Sequence, residues 1–490
     1  MPLADRLAWV GLVLGPLLAL ACYVLIPEAD AGGLASAGRA TAGIGVWMAV
    51  WWMTEAIPLA ATALLPVVLF PLTGALPAAK ALPPYASDIV FLFMGGFMIG
   101  LAMQKWHLHI RIALSIVRLV GTAPARLVGG FMLATASLSL WISNTAAAVM
   151  LLPVGVSVVT LLRNRLDLDD PPTAAAVGNL ATCLMLAIAY GASIGGLGTL
   201  IGSPPNLVLA QYAKAQLGYD VTMLEWMRMG LPLVAVMLPA TWLFLTRVAF
   251  PVRLTVPAAV REEIAGELTR LGPMSRGELT VLVVFACTAL SWIFRPQIAA
   301  LTGLALSDAV IGMTGALALF LIPVDWGTRE FALDWHTAER LPWGVLLLFG
   351  GGLSLAAAIS GNGVDAWLAS GFGALTGVRT LWVLVAATTL VVFLTELSSN
   401  TAIANTFIPI LAAAAIGLGI EPMPVLFGAA FAATCAFMLP VATPPNAIVF
   451  GSGMVTVGQM MRAGIGLNLM AIVFITVMIK IFGSWALPLF

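Results

Sequence analysis

An all-α protein that crosses the membrane many times, with about eleven transmembrane helices and two re-entrant hairpins arranged as an inverted repeat, is what the sequence predicts. Three observations predict it. Hydrophobic residues make up 61% of the chain and charged residues 9%, against about 25% charged in an ordinary soluble domain. Apolar runs recur at the ~20 residues that a spanning helix needs. A pair of polar tips also returns in the same order. Ser143-Asn144-Thr145 is followed by Gly202-Ser203-Pro204-Pro205-Asn206, and Ser399-Asn400-Thr401 by Ala442-Thr443-Pro444-Pro445-Asn446. Net charge is zero and no basic run appears, which argues against nucleic acid as a partner and leaves membrane lipid as the surroundings.

Taken in order, Leu7–Ile26 is the first span; no small-residue cleavage pattern follows it, so it reads as a retained helix rather than a signal peptide. Apolar segments follow at Ala42–Met53, Ala56–Leu72 and Asp88–Met103. In Lys105–Arg126, His107, His109, Arg111, Arg118 and Arg126 alternate with apolar residues, as in a helix lying at the membrane interface. Leu127–Ile142 and Ala146–Leu162 are the arms of the first hairpin, and Arg163–Pro172 is a charged loop. Ala174–Ala192 runs into the first Pro-Pro break, and Gly230–Phe250 is a further helix. The four cysteines, Cys22, Cys183, Cys287 and Cys435, are far apart in apolar runs and read as small buried hydrophobes.

Arg253–Arg276 is the main polar linker, carrying Arg253, Arg261, Arg270 and Arg276 with Arg247 nearby. Helices follow at Leu279–Phe294 and Asp308–Ile322, then the polar loop Pro323–Pro342, Trp343–Ser360 and an amphipathic stretch Val364–Leu375. Two arms flank Ser399-Asn400-Thr401, Pro424–Leu439 leads into the second break, and Gly464–Trp485 is the last span. The positive-inside rule makes the linker side and the N-terminus cytoplasmic and the C-terminus extracytoplasmic.

The repeat has a measurable register. Gly95 and Gly350 lie 255 apart, Asn144 and Asn400 256, and Asn206 and Asn446 240. Two halves follow, 1–250 and 279–490, joined by a linker at 251–278. An odd number of spans between them makes the halves inverted, the arrangement in which transporter sites form at the bilayer midplane.

A Pro-Pro inside a span is tolerated only where it lines a cavity or is buried in protein. Proline removes a donor and disfavours the α conformation of the residue before it, so both breaks are expected to unwind their helices. Carbonyls freed there are ligands for a hard cation, and N–H groups at the next helix start face an anion. A single break reads as a kink, and a single Ser-Asn-Thr as a helix cap. The matched pairs read as one site built twice. None of the four tips holds Arg or Lys, so a bound anion needs its charge balanced by co-bound cations.

Gly191-Ala-Ser193-Ile-Gly195 fits the G-x-S-x-G pattern of serine hydrolases, but no histidine lies near it in an apolar run and the glycines read as close helix packing. The chain is therefore not expected to be an enzyme. A passive channel fits less well than alternating access. Glu55 and Glu396 are intramembrane carboxylates and so candidates for function. Glu396 is read either as a proton carrier or as the partner of a polar neighbour.

Trp52-Met-Thr-Glu55-Ala-Ile-Pro58, Trp141-Ile-Ser-Asn-Thr145, Leu341-Pro-Trp-Gly344 with Gly350–Gly352, Ser399-Asn-Thr401 and Thr443-Pro-Pro-Asn-Ala-Ile-Val-Phe-Gly-Ser-Gly453 together resemble the divalent anion/sodium symporter family over nearly the whole chain. The resemblance implies a plasma (inner) membrane homodimer whose protomers have a scaffold and an elevator-like transport domain. It implies sodium-coupled import of a small divalent anion, foremost a C4-dicarboxylate such as succinate, malate or fumarate. The alternatives are a sodium-independent dicarboxylate exchanger of the same fold, or sulfate or citrate as substrate. By resemblance the substrate meets Ser143, Asn144, Thr145, Ser399, Asn400, Thr401, Thr443 and Pro444. One sodium ion would be held by Ser139, Ser143, Asn144 and Gly198, the other by Thr395, Ser398, Asn400 and Ala442. Two departures from the family pattern bear on substrate choice: Ala146-Ala147 after the first tip, and Ser203 where the second half has Thr443.

Overall fold

The chain folds as a helical membrane protein; the computed structural model describes residues 3–121, 123–167, 169–252, 254, 258–372 and 377–486. Its first half begins with α1 (Leu3–Leu25) and α2 (Ser36–Thr54), which pack together, then α3 (Leu59–Thr62), α4 (Leu65–Thr73) and α5 (Ala78–Ala81). The single segment expected over Ala56–Leu72 is thus two short helices. Pro58 caps α3 and Pro66 opens α4, each where a missing N–H costs little. Glu55 ends α2 in the left-handed conformation, at φ 48°, and is exposed. After α6 (Asp88–Lys105) comes α7 (Leu108–Val120), the expected amphipathic helix, with Leu108, Ala113, Leu114 and Val117 buried. Its Arg111 pairs with Glu278 and donates to the carbonyls of Leu271 and Gly272, which fastens α7 to the linker.

The first hairpin is α8 (Pro124–Ser139) and α9 (Asn144–Arg165). The broken pair is α10 (Pro171–Gly195) and α11 (Pro204–Gln216), followed by α12 (Met223–Leu243) with a π-helical turn over Phe244–Ala249. The linker, whose Arg253 lies outside the described residues, contains a helix not expected from its polarity, α13 (Ala258–Arg270). Then come α14 (Arg276–Ile293), the further short α15 (Arg295–Thr302) and α16 (Asp308–Leu321). The polar loop holds a small antiparallel hairpin, β1 (Pro323–Asp325) with β2 (Glu330–Phe331), and α17 (Trp335–Ala338). The second half continues with α18 (Trp343–Gly361) and α19 (Val364–Phe372). The expected end of α19 at Leu375 lies outside the described residues. The second hairpin is α20 (Thr380–Thr395) and α21 (Asn400–Gly417), the second broken pair α22 (Pro422–Thr434) and α23 (Pro444–Gly451), and the chain ends in α24 (Val457–Ala486).

Among the described residues nine helices are long and apolar enough to cross a membrane, and four shorter apolar helices accompany them. The protein is a multi-pass membrane protein. Its best-buried helices are those around the two breaks: α10 is buried from Leu180 to Gly195, and α22 throughout. Close packing explains the glycines of the G-x-S-x-G run. A Cβ on Gly191 would stand 2.7 Å from Met132 O, and one on Gly195 2.4 Å from Ala136 O, so only glycine lets α10 lie against α8. Cys183 and Cys435 are buried as expected, and Cys22 is half-buried. Cys287 is instead exposed on α14, in the outward stripe of Leu279, Val283 and Leu290 at helical spacing.

The halves interlock. The short helix α11 of the first half packs on α21 and α22 of the second, and α23 of the second packs on α9 and α10 of the first.

Candidate substrate and cation site

Each hairpin turns where a polar residue ends one helix and an asparagine starts the next. In the first, Ser143 caps α9, its Oγ accepting from Ala146 N at 3.3 Å. One end of the Asn144 carboxamide then lies 2.6 Å from Ser139 Oγ, 3.0 Å from Gly202 O and 3.2 Å from Ala192 O. Such a knot of acceptors is satisfied in two ways. The amide nitrogen turns and shares its two hydrogens among the three, or the amide oxygen stays and a hard cation shares the oxygens.

The second hairpin repeats the knot with different residues. Thr395 Oγ1 lies 2.8 Å from both Asn400 Oδ1 and Ala433 O, so three oxygens share one hydroxyl proton. The hydroxyl stands five residues before the asparagine in both halves. Thr395 and Ser139 are fully buried.

Behind each knot the unwound segment is braced by the asparagine of the Pro-Pro-Asn motif. Asn206 Nδ2 donates to Gly196 O at 2.8 Å and Thr199 O at 2.7 Å; Asn446 Nδ2 donates to Ala436 O at 3.1 Å and Leu439 O at 3.0 Å. The acceptors lie ten and seven residues upstream in both cases. Both side chains are fully buried, so two carbonyls in each break that the sequence would leave free are taken by these amides. In this register Ala442 corresponds to Gly202, while Gly198 corresponds to Met438.

The other expected residues fall as follows. Thr443 is buried and caps α23, its Oγ1 accepting from Asn446 N at 3.3 Å; Pro444 opens that helix and is exposed. Ser203 does not cap α11 but bonds Thr434 Oγ1 across the molecule at 3.0 Å. Ser398 Oγ reaches Trp52 O at 3.4 Å, bringing the second tip against the end of α2. Ser399 and Thr145 are half-buried at the tips, and Thr401 is buried with its carbonyl accepting from Asn405 Nδ2. Gly198 packs against Leu140, Leu231 and Gly230. No side-chain hydrogen bond joins one tip to the other among the described residues. They are related through α11, which packs on α21 and α22, and α23, which packs on α9 and α10. No three His, Cys, Asp or Glu side chains converge among the described residues.

Residues 7–490 match the family described as the sodium:sulfate symporter transmembrane region. The chain belongs to this family. A sodium-dependent dicarboxylate transporter of Staphylococcus saprophyticus is 39% identical over 473 residues, covering 96% of this chain and 90% of that protein. Its Staphylococcus aureus counterpart is 40% identical over 474 residues at the same coverage. Among solved structures, the Alcanivorax borkumensis YdaH transporter superposes over the whole of both chains with a TM-score of 0.56 at 15% identity. Neisseria gonorrhoeae MtrF does so at 0.54 and 12%, over 98% of this chain and 95% of its own. Family membership makes the protein a transporter and not an enzyme. Ser193, in the hydrolase-like run, is buried with no hydrogen-bond partner at its hydroxyl.

Sequence reasoning missed the Ala192 and Gly202 carbonyls beside Asn144 and the Ala433 carbonyl beside Thr395, because backbone carbonyls leave no mark in a sequence. It found Glu396 but not its partners. That carboxylate accepts from the N–H groups of Phe437, Met438 and Leu439 and from Asn468 Nδ2.

Proposed function

We propose that the protein imports a small divalent anion, a C4-dicarboxylate such as succinate, malate or fumarate, together with sodium ions. The observation that carries this reading is the pair of hydroxyl–asparagine oxygen knots, one at each hairpin, with no cationic side chain at either tip. Neutral oxygens at this density suit a dehydrated sodium ion, a hard cation. Two carboxylates then bind against hydroxyls, amides and the N-termini of α9, α21 and α23, with sodium supplying the balancing charge. Because the anion is favoured only with the cations bound, the two fluxes are coupled. The staphylococcal relatives carry sodium-dependent dicarboxylate transport in their names, which supports the same choice here.

In this reading the substrate meets Ser143, Asn144, Thr145, Ser399, Asn400, Thr401, Thr443 and Pro444. One sodium site draws on Ser139, Ser143, Asn144 and Gly198. The other draws on Thr395, Ser398, Asn400 and Ala442. The halves 1–250 and 279–490, linked by 251–278, form eleven spans and two re-entrant hairpins. The transport domain moves as an elevator against a scaffold that dimerises, in a plasma membrane with the N-terminus cytoplasmic and the C-terminus outside.

The test is succinate uptake into proteoliposomes under an inward sodium gradient, with potassium in its place as the comparison, in empty and in succinate-loaded vesicles. Sodium-dependent uptake into empty vesicles is expected. Uptake confined to loaded vesicles and indifferent to sodium would replace symport with exchange. No uptake in either arm would move the substrate to sulfate or citrate.

A further inference from the structure

Glu396 is the one carboxylate built into the second hairpin. It is 3% exposed, and each contact it makes is with a donor. Its Oε1 accepts from Phe437 N at 2.7 Å and Asn468 Nδ2 at 2.8 Å, its Oε2 from Leu439 N at 3.1 Å, and Met438 N lies 2.9 and 3.1 Å from the two oxygens. Three successive backbone N–H groups turned onto one point form an anion-binding nest, here filled by the protein's own side chain. A carboxylate inside a membrane is costly unless it is satisfied in this way.

The neighbouring residue Thr395 carries the hydroxyl of the second oxygen knot, and the segment that Glu396 grips is the one Asn446 braces through Ala436 and Leu439. In the first half the position in register is Leu140. It has no charge to offer, and only its backbone carbonyl takes part, accepting from Thr199 Oγ1. The two knots are alike in their oxygens and unlike in what stands behind them.

We propose that Glu396 is a positioning residue that makes the two cation sites unequal. It clamps residues 437–439 behind the Thr395–Asn400 knot and places a negative charge beside that knot alone, so that the second site holds sodium more tightly than the first. The inference rests on the sodium-coupled reading above. Glu396→Gln keeps the shape but turns an NH2 group onto N–H donors, which breaks the clamp and removes the charge.

Two readouts test this: the sodium-activation curve of succinate uptake in proteoliposomes, and the rise in melting temperature that sodium causes in the purified protein without substrate. For Glu396→Gln the maximal uptake at high sodium is retained. The half-saturating sodium concentration rises about tenfold, the scale of one buried charge-assisted hydrogen bond, and the sodium-induced rise in melting temperature shrinks. Asn468→Leu keeps the charge and loses one donor, and shifts the curve the same way by about two- to threefold. Combining Glu396→Gln with Thr395→Ala adds little to the sodium requirement, whereas combining it with Ser139→Ala multiplies the two effects, because those sites are separate.

A merely structural role would lower the melting temperature equally in sodium and in potassium and depress maximal uptake at an unchanged half-saturating sodium; that result overturns the proposal. Should Glu396→Gln fail to fold, Asn468→Leu decides by the same criterion. Wild-type uptake and melting that are both indifferent to sodium would overturn the sodium-coupled reading itself and this inference with it, a failure visible before any variant is made.

Discussion

The loop between α10 and α11 and the loop between α22 and α23 do the same thing by different means. Each unwinds a helix beside a hairpin tip, and each is tied by an asparagine to carbonyls ten and seven residues upstream. The first is held by neutral groups and by compactness. Thr199 Oγ1 bonds Leu140 O and accepts from Gly202 N at 3.1 Å, and Trp226 Nε1 donates to Leu197 O at 2.9 Å. Gly195, Gly196, Gly198 and Gly202 allow approaches no side chain would fit; a Cβ on Gly196 would stand 2.5 Å from Asn144 Oδ1. The second loop has no glycine between Ala436 and Ala442, and a carboxylate grips its backbone instead. What the halves share is therefore the oxygen knot and its brace. What surrounds them differs, which marks the shared part as the part the site depends on.

The largest effect tests the shared part. Asn144→Ala and Asn400→Ala should each abolish succinate uptake while the purified protein remains monodisperse on size exclusion; uptake that survives in either variant would mean that one half suffices. Next come the braces. Asn206→Leu and Asn446→Leu each leave two buried carbonyls without a donor, which costs about 2–4 kcal/mol, and thermal unfolding should show equal losses. A loss in one half alone would mean the braces are not equivalent. Then comes the difference in compactness. Gly196→Ala forces a methyl onto Asn144 and costs about 1–3 kcal/mol, whereas the mirror change Ala436→Gly costs at most about 1 kcal/mol. The smallest effect concerns the residues after the breaks. Ser203→Ala costs about 1 kcal/mol through its lost bond to Thr434 and should leave uptake within about twofold. Thr443→Ala loses a helix cap worth about 1 kcal/mol and should lower uptake several-fold more, since in the proposed reading Thr443 faces the substrate.

Much of this was legible in the chain because it is written in local signals. Apolar runs located the long spans, with ends displaced by as much as seven residues as at Met223 and Val457, and the duplicated tips located both hairpins and both breaks. Three things were not legible. Helix α13 sits in a polar linker whose composition reads as loop, and it is held by partners elsewhere in the chain: α13 packs on α7, and Arg111 of α7 grips the Leu271 and Gly272 carbonyls just beyond it. The Gly202 and Ala192 carbonyls come to lie beside Asn144, because the path of an unwound segment depends on which asparagine closes it. Asn468, the side-chain partner of Glu396, lies 72 residues away on a helix whose pattern says only that it is apolar. Local periodicity carries elements; it does not carry who meets whom.

The packing of each short helix on the opposite half has a consequence for how the protein is made. Helix α9 leaves the ribosome about 280 residues before α23, the helix that packs on it. At about 5–20 residues per second the wait is tens of seconds. During that time the first hairpin is in the membrane with its α23-facing side unpartnered. Lipid covers that face in the meantime, and a chain cut short before Thr443 never gains its protein partner. The first hairpin of such a fragment lacks the packing that α23 supplies in the whole chain.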